Sequence, residues 1–150
     1  MDDIGIVLII VLVVLIFISA FFSGSETSIT AINQIKLDSA AENGEKSAKR
    51  VNSLRNKIDE VLGVILIGNN LVNISASALL TYFVIKRFGD EYVWVGTLVL
   101  TVLIIIFAEI APKNFAAKKP EAIAYPASIV LQFLTNYFGW LSRILNFFSS

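Results

Sequence analysis

The sequence predicts an all-α membrane protein with three transmembrane helices, and two observations carry that reading. Hydrophobic residues make up 56% of the 150 residues, more than a soluble globular domain uses. They are gathered into blocks, Ile4 to Phe22, Val61 to Ile85 and Tyr92 to Ala108, each about long enough at ~1.5 Å per residue to cross a ~30 Å hydrocarbon core. With their flanks, the spans are placed at about 4–30, 60–85 and 92–109.

The first block is an anchor rather than a secretory signal, because Asp2 and Asp3 precede it where a signal carries positive charge, and the run is long for an h-region. It ends in "SGSET", residues 23 to 27, where Gly24 is expected to relax the backbone and Ser25 to cap the next helical segment, with Glu26 complementing the helix dipole. Residues 34–58 are rich in helix formers around Asn43-Gly44, which predicts a cytoplasmic helical hairpin. The second span follows, then a short turn bearing Lys86 and Arg87, then the third span up to Pro112. From 126 to 148, Ser128, Gln132, Thr135, Asn136, Gly139, Ser142, Arg143 and Asn146 recur on one helical face. That pattern, with Tyr137 and Trp140, favours an amphipathic helix at the membrane interface over a fourth span.

Net charge is zero, which implies no nucleic-acid partner, and there is no cysteine from which to infer a redox compartment. The basic residues concentrate in the 34–58 segment and, as Lys113, Lys118 and Lys119, after the third span. By the positive-inside tendency the N-terminus is outside and the C-terminus cytoplasmic, in a multi-pass protein of the cell membrane.

Polar groups inside lipid must face one another, a cavity or a ligand. Three clusters qualify: "SGSET", "GNNLVNISAS" at 68 to 77 and "FAEIAPK" at 107 to 113. Asn70, Asn73, Ser77 and Thr81 form one stripe of the second helix, expected to point into protein; Ser77 and Thr81 suit helix packing, while Asn70 and Asn73 offer two amide oxygens to one point. Glu109 stands just ahead of Pro112, whose missing N–H is expected to free the carbonyl of Ala108. A bland alternative pairs Glu109 with Lys113 at i, i+4. By rise alone, Asn70 should lie roughly 15 Å deeper than the first-span serines unless the second helix begins below the membrane.

With neither histidine nor cysteine, only oxygen donors remain, the set of a hard cation such as magnesium, calcium or sodium. A serine protease is disfavoured because Ser25 has neither a histidine nor an intramembrane lysine as base, and no enzymatic activity is expected.

On "SGSETSITAIN", "ILIGNNLVNISASAL" and "IFAEIAPKNFA", in that order, the sequence resembles the transmembrane domain of the CorC and cyclin M (CNNM) magnesium transporters. The resemblance implies a homodimer in the bilayer, with three spans and short cytoplasmic-side helices per protomer. It further implies a Mg2+ site facing the cytoplasm and export coupled to Na+ entry. The site would fall on Ser23 or Ser25, on Asn70 and Asn73, and on Glu109 with the carbonyl of Ala108, where the family often has glycine. Glu26, Asn69 and Ser75 offer oxygens to a second, coupling cation, and Ser77 and Lys113 stand behind the ligands. The family's usual cystathionine-beta-synthase (CBS) domain pair is absent from these residues, as from a piece of a longer protein. A dimeric membrane anchor or sensor that binds Mg2+ without moving it is the alternative, and polar residues that serve packing alone are a third reading.

Overall fold

A computed structural model describes residues 2–149, and all its regular elements there are helical. Helix α1 (Asp3–Ala31) is followed by α2 (Gln34–Glu42), α3 (Lys46–Arg55) and α4 (Ile58–Arg87). After a single turn at Asp90–Tyr92 come α5 (Val93–Leu103), a π-helical segment (Ile104–Ile110), α6 (Ala111–Lys118) and α7 (Pro120–Ser149). Three stretches are long and apolar enough to cross a membrane: α1, α4 and Asp90–Lys118.

Helix α1 runs unbroken through Ser23-Gly24-Ser25, which overturns both the expected break and the N-cap reading of Ser25. The reason is its surroundings: α4, α6 and α7 all pack along it, and a helix in lipid must keep its backbone bonds internal. Gly24 faces Pro112 instead, a Cβ there lying 3.7 Å from Pro112 Cβ, ordinary contact. The third helix likewise continues past Glu109 to Lys118, with Pro112 accommodated directly after the segment Ile104–Ile110, where the backbone ladder is widened.

Each end of the bundle is tied by charge. Asp2 caps α1 by accepting from the Gly5 N–H at 2.8 Å and pairs with Arg87 at the end of α4. The Gly5 N–H, and then Arg87, hold the Asp2 carboxyl below its ordinary 3.8. At the opposite end Arg55 donates to the carbonyl of Ile32, just past α1, and Arg50 donates to Ser128 of α7 at 3.1 Å. The turn between α2 and α3 places Gly44 at φ +89°, a conformation glycine tolerates.

Helix α7 is inside out relative to a soluble amphipathic helix. Its small and polar residues Ala124, Ala127, Ser128, Thr135, Gly139 and Ser142 are buried, while Phe133, Tyr137, Phe138, Trp140 and Ile144 are exposed. Much of its polar stripe meets α3 and α4, and α7 is not among the three helices apolar enough to cross a membrane. Small residues permit the approach. A Cβ on Gly63 would stand 1.9 Å from Ser142 Oγ, and one on Gly139 would stand 1.9 Å from Glu60 Oε1. Ser142 donates to the Glu60 carbonyl at 2.9 Å, and Arg143 pairs with the Glu60 carboxylate at 3.1 Å.

Gly63→Ala should therefore cost roughly 1–3 kcal/mol through overpacking, read as a lower melting temperature in detergent; an unchanged melt would show that α4 and α7 do not pack this closely. Because the Asp2 pKa is depressed on folding, its contribution is complete above about 3.8 and lost as pH falls below it. Hydrogen exchange in the first turn of α1 should accelerate as pH falls below about 3.8, and exchange that ignores pH, once corrected for its intrinsic rate, would refute the cap.

Candidate metal centre

Ser23 and Glu109 are brought together by packing of α1 against the π segment. Ser23 is buried, and its hydroxyl donates to Glu109 Oε1 at 3.3 Å. The other carboxylate oxygen, Oε2, lies 3.2 Å from Lys113 Nζ. Both ends of the carboxylate are thus engaged, one by a neutral donor and one by a cation. Burial of the carboxylate is partial, with 32% of the Glu109 side chain exposed, so a ligand can still reach it.

The π geometry belongs to this site. Over Ile104–Ile110 the ladder widens, and the Ala111 N–H reaches back to the Ile106 carbonyl. Pro112 follows at once and supplies no N–H, so the helix lacks one donor next to Glu109. Single-turn widenings of this kind recur at functional sites because they re-aim side chains and loosen carbonyls. Ala108 itself is fully buried.

One helical turn along α1, Ser19 donates to Asn69 Oδ1 at 2.7 Å. Serines 19 and 23 are one turn apart, so the Asn69 level and the Glu109 level differ by only ~6 Å. The depth gap foreseen from sequence closes because α4 begins at Ile58, and the Phe22 ring lies where a Cβ on Gly68 would stand 2.6 Å from its tip. Ser19 was missed in the sequence, although its i, i+4 relation to Ser23 was available as a signal.

The remaining residues are dispersed. Ser25 is buried, its hydroxyl without a hydrogen-bond partner among the described residues, and two positions along a helix turn it some ~200° from Ser23, away from Glu109. Asn70 is exposed, Asn73 half-buried, and neither amide makes a hydrogen bond among the described residues. The Asn70 to Thr81 stripe, expected to point into protein, is thus exposed or half-buried, because Val61, Val64, Ile65 and Ala76 carry the buried face of α4. Ser75 is half-buried and Ser77 exposed, the latter's carbonyl accepting from Thr81 at 2.9 Å. Glu26 lines a different space, an open cleft of about 540 Å³ shared with Asp59, Gly63 and Asn146.

Among the described residues no three Asp or Glu side chains gather closely enough to hold a metal. A cation at Glu109 would be held by one carboxylate and neutral oxygens, a donor set suited to hard ions.

The cyclin M transmembrane N-terminal domain family matches residues 10–150. The UPF0053 inner membrane protein YfjD of Escherichia coli strain K12 is 49% identical over 114 residues, 76% of this chain and 27% of that protein. A UPF0053 protein of Haemophilus influenzae is 40% identical over 142 residues, 95% of this chain and 34% of its own length. Metal transporter cnnm-4 of Caenorhabditis elegans is 35% identical over 118 residues, 75% and 25% of the two chains. The chain spans about a quarter to a third of the length of these relatives.

Ser19→Ala leaves the Asn69 carbonyl without its donor and should cost about 1 kcal/mol of stability, because intramembrane side-chain bonds are worth that order. Equilibrium unfolding in mixed micelles measures it; a neutral result would mean that water already serves Asn69.

Proposed function

The chain belongs to the cyclin M transmembrane domain family, and from that premise we propose that it is the membrane core of a Mg2+ exporter, without enzymatic activity. The observation that carries the reading is the contact between Ser23 and Glu109, a carboxylate on a π-helical segment of a membrane span with a hydroxyl donated to it from a second span. In the proposal Glu109 neutralises most of one charge of the ion, and Ser23 turns its oxygen from donor to ligand. Asn70 and Asn73, whose amides make no hydrogen bond among the described residues, replace part of the water shell once α4 shifts toward Glu109, and a carbonyl at Ala108 completes the set. Ser23 is preferred to Ser25 because it faces Glu109. The buried Ser25 hydroxyl is left as a reserve oxygen on another face of α1.

A Na+ ion is the proposed coupling partner. Of the oxygens foreseen for it, Glu26, Asn69 and Ser75 lie at separate levels, beside Gly63, Ser19 and the Leu12–Ala76 cluster respectively, so they do not share one ion in this arrangement. Glu26, in an open cleft beside Asp59, is the one that supports cation access from that end. The orientation is N-terminus outside and C-terminus cytoplasmic, supported by the basic residues of α2, α3 and α6 lying at the end opposite Asp2. A homodimer is included, because a second copy would shelter the polar stripe that α4 leaves exposed or half-buried.

Calorimetry on the purified chain tests the site. Saturable Mg2+ binding is expected, weakened at least ~30-fold in Glu109→Gln, the scale of losing the charged partner of a buried pair. Liposomes should then show Mg2+ flux that needs both Glu109 and a Na+ gradient. Binding that survives the substitution sinks the site, and Glu109-dependent binding with no flux makes the chain an anchor or sensor instead.

A further inference from the structure

We propose that Lys113 is a tethered counter-ion that competes with the transported divalent cation for Glu109, and so lowers the affinity of the site and keeps it neutral when it is empty. The inference rests on the transport reading above and goes beyond it by assigning the regulation of that site.

The geometry is direct. Lys113 Nζ stands 3.2 Å from Glu109 Oε2, across one turn of the same helix, while Ser23 occupies Oε1. Among the described residues Lys113 is the one cation paired with this carboxylate. A divalent ion that takes Glu109 as a ligand, whether through Oε1 beside Ser23 or through Oε2, comes close to the Lys113 ammonium on the same carboxylate, and the two cations repel each other. Binding therefore works against the Lys113 ion pair and favours its displacement.

Displacement is feasible because the Lys113 side chain is 44% exposed and its four-carbon stem can carry the head outward to water. The i, i+4 connection keeps the displaced ammonium within reach, so it acts at a high effective concentration. When the cation leaves, Lys113 returns, and the carboxylate never faces lipid uncompensated. A carrier that returns with Na+ bound elsewhere and this site vacant gains from this, since an unpaired carboxylate would otherwise have to be moved through the membrane. A site with a built-in competitor also releases its ion more readily, as an exporter's outward-facing state requires.

Isothermal titration of Mg2+ into three purified chains tests the proposal: the native chain, Lys113→Gln and Lys113→Arg. Lys113→Gln should bind Mg2+ roughly fivefold more tightly, the size of removing an ion pair this exposed. Lys113→Arg, whose guanidinium can grip the carboxylate with two bonds, should bind no more tightly than the native chain. The Mg2+-induced rise in melting temperature should be larger for Lys113→Gln than for the native chain, because only the ion-free form loses a partner; a purely structural lysine would lower both forms together. If Lys113→Gln does not fold, Lys113→Arg alone decides, tighter binding by it overturning the proposal. Native binding that depends on Glu109 with no tightening in Lys113→Gln overturns the counter-ion role and leaves the site standing. Absence of Glu109-dependent binding in the native chain overturns both.

Discussion

Glu109 is a carboxylate within a membrane-spanning helix, and a group of that kind has to be solvated by protein. Here the solvation comes from two directions, the Ser23 hydroxyl of α1 and the Lys113 ammonium one turn on. Meeting that need fixes which face of α1 the third span must approach, and the approach brings Gly24 against Pro112. The next turn of α1 then presents Ser19 to Asn69, which sets the register of α4. Two polar contacts on successive turns of one helix thus orient all three spans, in a solvent that offers no hydrophobic drive between apolar surfaces.

The same solvent inverts α7. In a soluble domain its aromatic face would be the core and its serines the surface; where the surroundings are apolar, small and polar residues are the ones that gain from meeting protein. Ser128, Gly139 and Ser142 accordingly sit under α3 and α4, with Arg50 and Glu60 as partners across the contact. The hairpin of α2 and α3 links this helix to the end of α1, since Arg55 reaches the Ile32 carbonyl and Arg50 of the same helix reaches Ser128. A movement of α1 that altered the Ser23 contact would therefore be felt in α7 through a short chain of bonds.

Part of the candidate site was legible residue by residue. An isolated carboxylate before a proline, in an otherwise apolar run, stands out at Glu109, and the absence of histidine and cysteine limits the donors to oxygen. Less legible was which residues meet. Asn69 rather than Asn70 bonds to α1, because adjacent residues differ by ~100° around a helix and only packing says which angle faces inward. The glycine and serines at 23 to 25 read as a break, yet remain helical because three neighbouring helices cover that stretch. Local propensity is a weak prior against burial on several sides.

What the sequence by itself determined is the solvent and the chemistry: three helices apolar enough to span a membrane, and a set of oxygen donors with one carboxylate among them. These follow from composition and period, which need no neighbours to be read. Only the tertiary structure decided that Ser23 and not Ser25 meets Glu109, that Lys113 holds the second carboxylate oxygen, and that α7 buries its polar face. Those outcomes depend on helix rotation and register, which are set by contacts between residues as far apart as Ser23 and Glu109, and no local pattern encodes an angle between two helices.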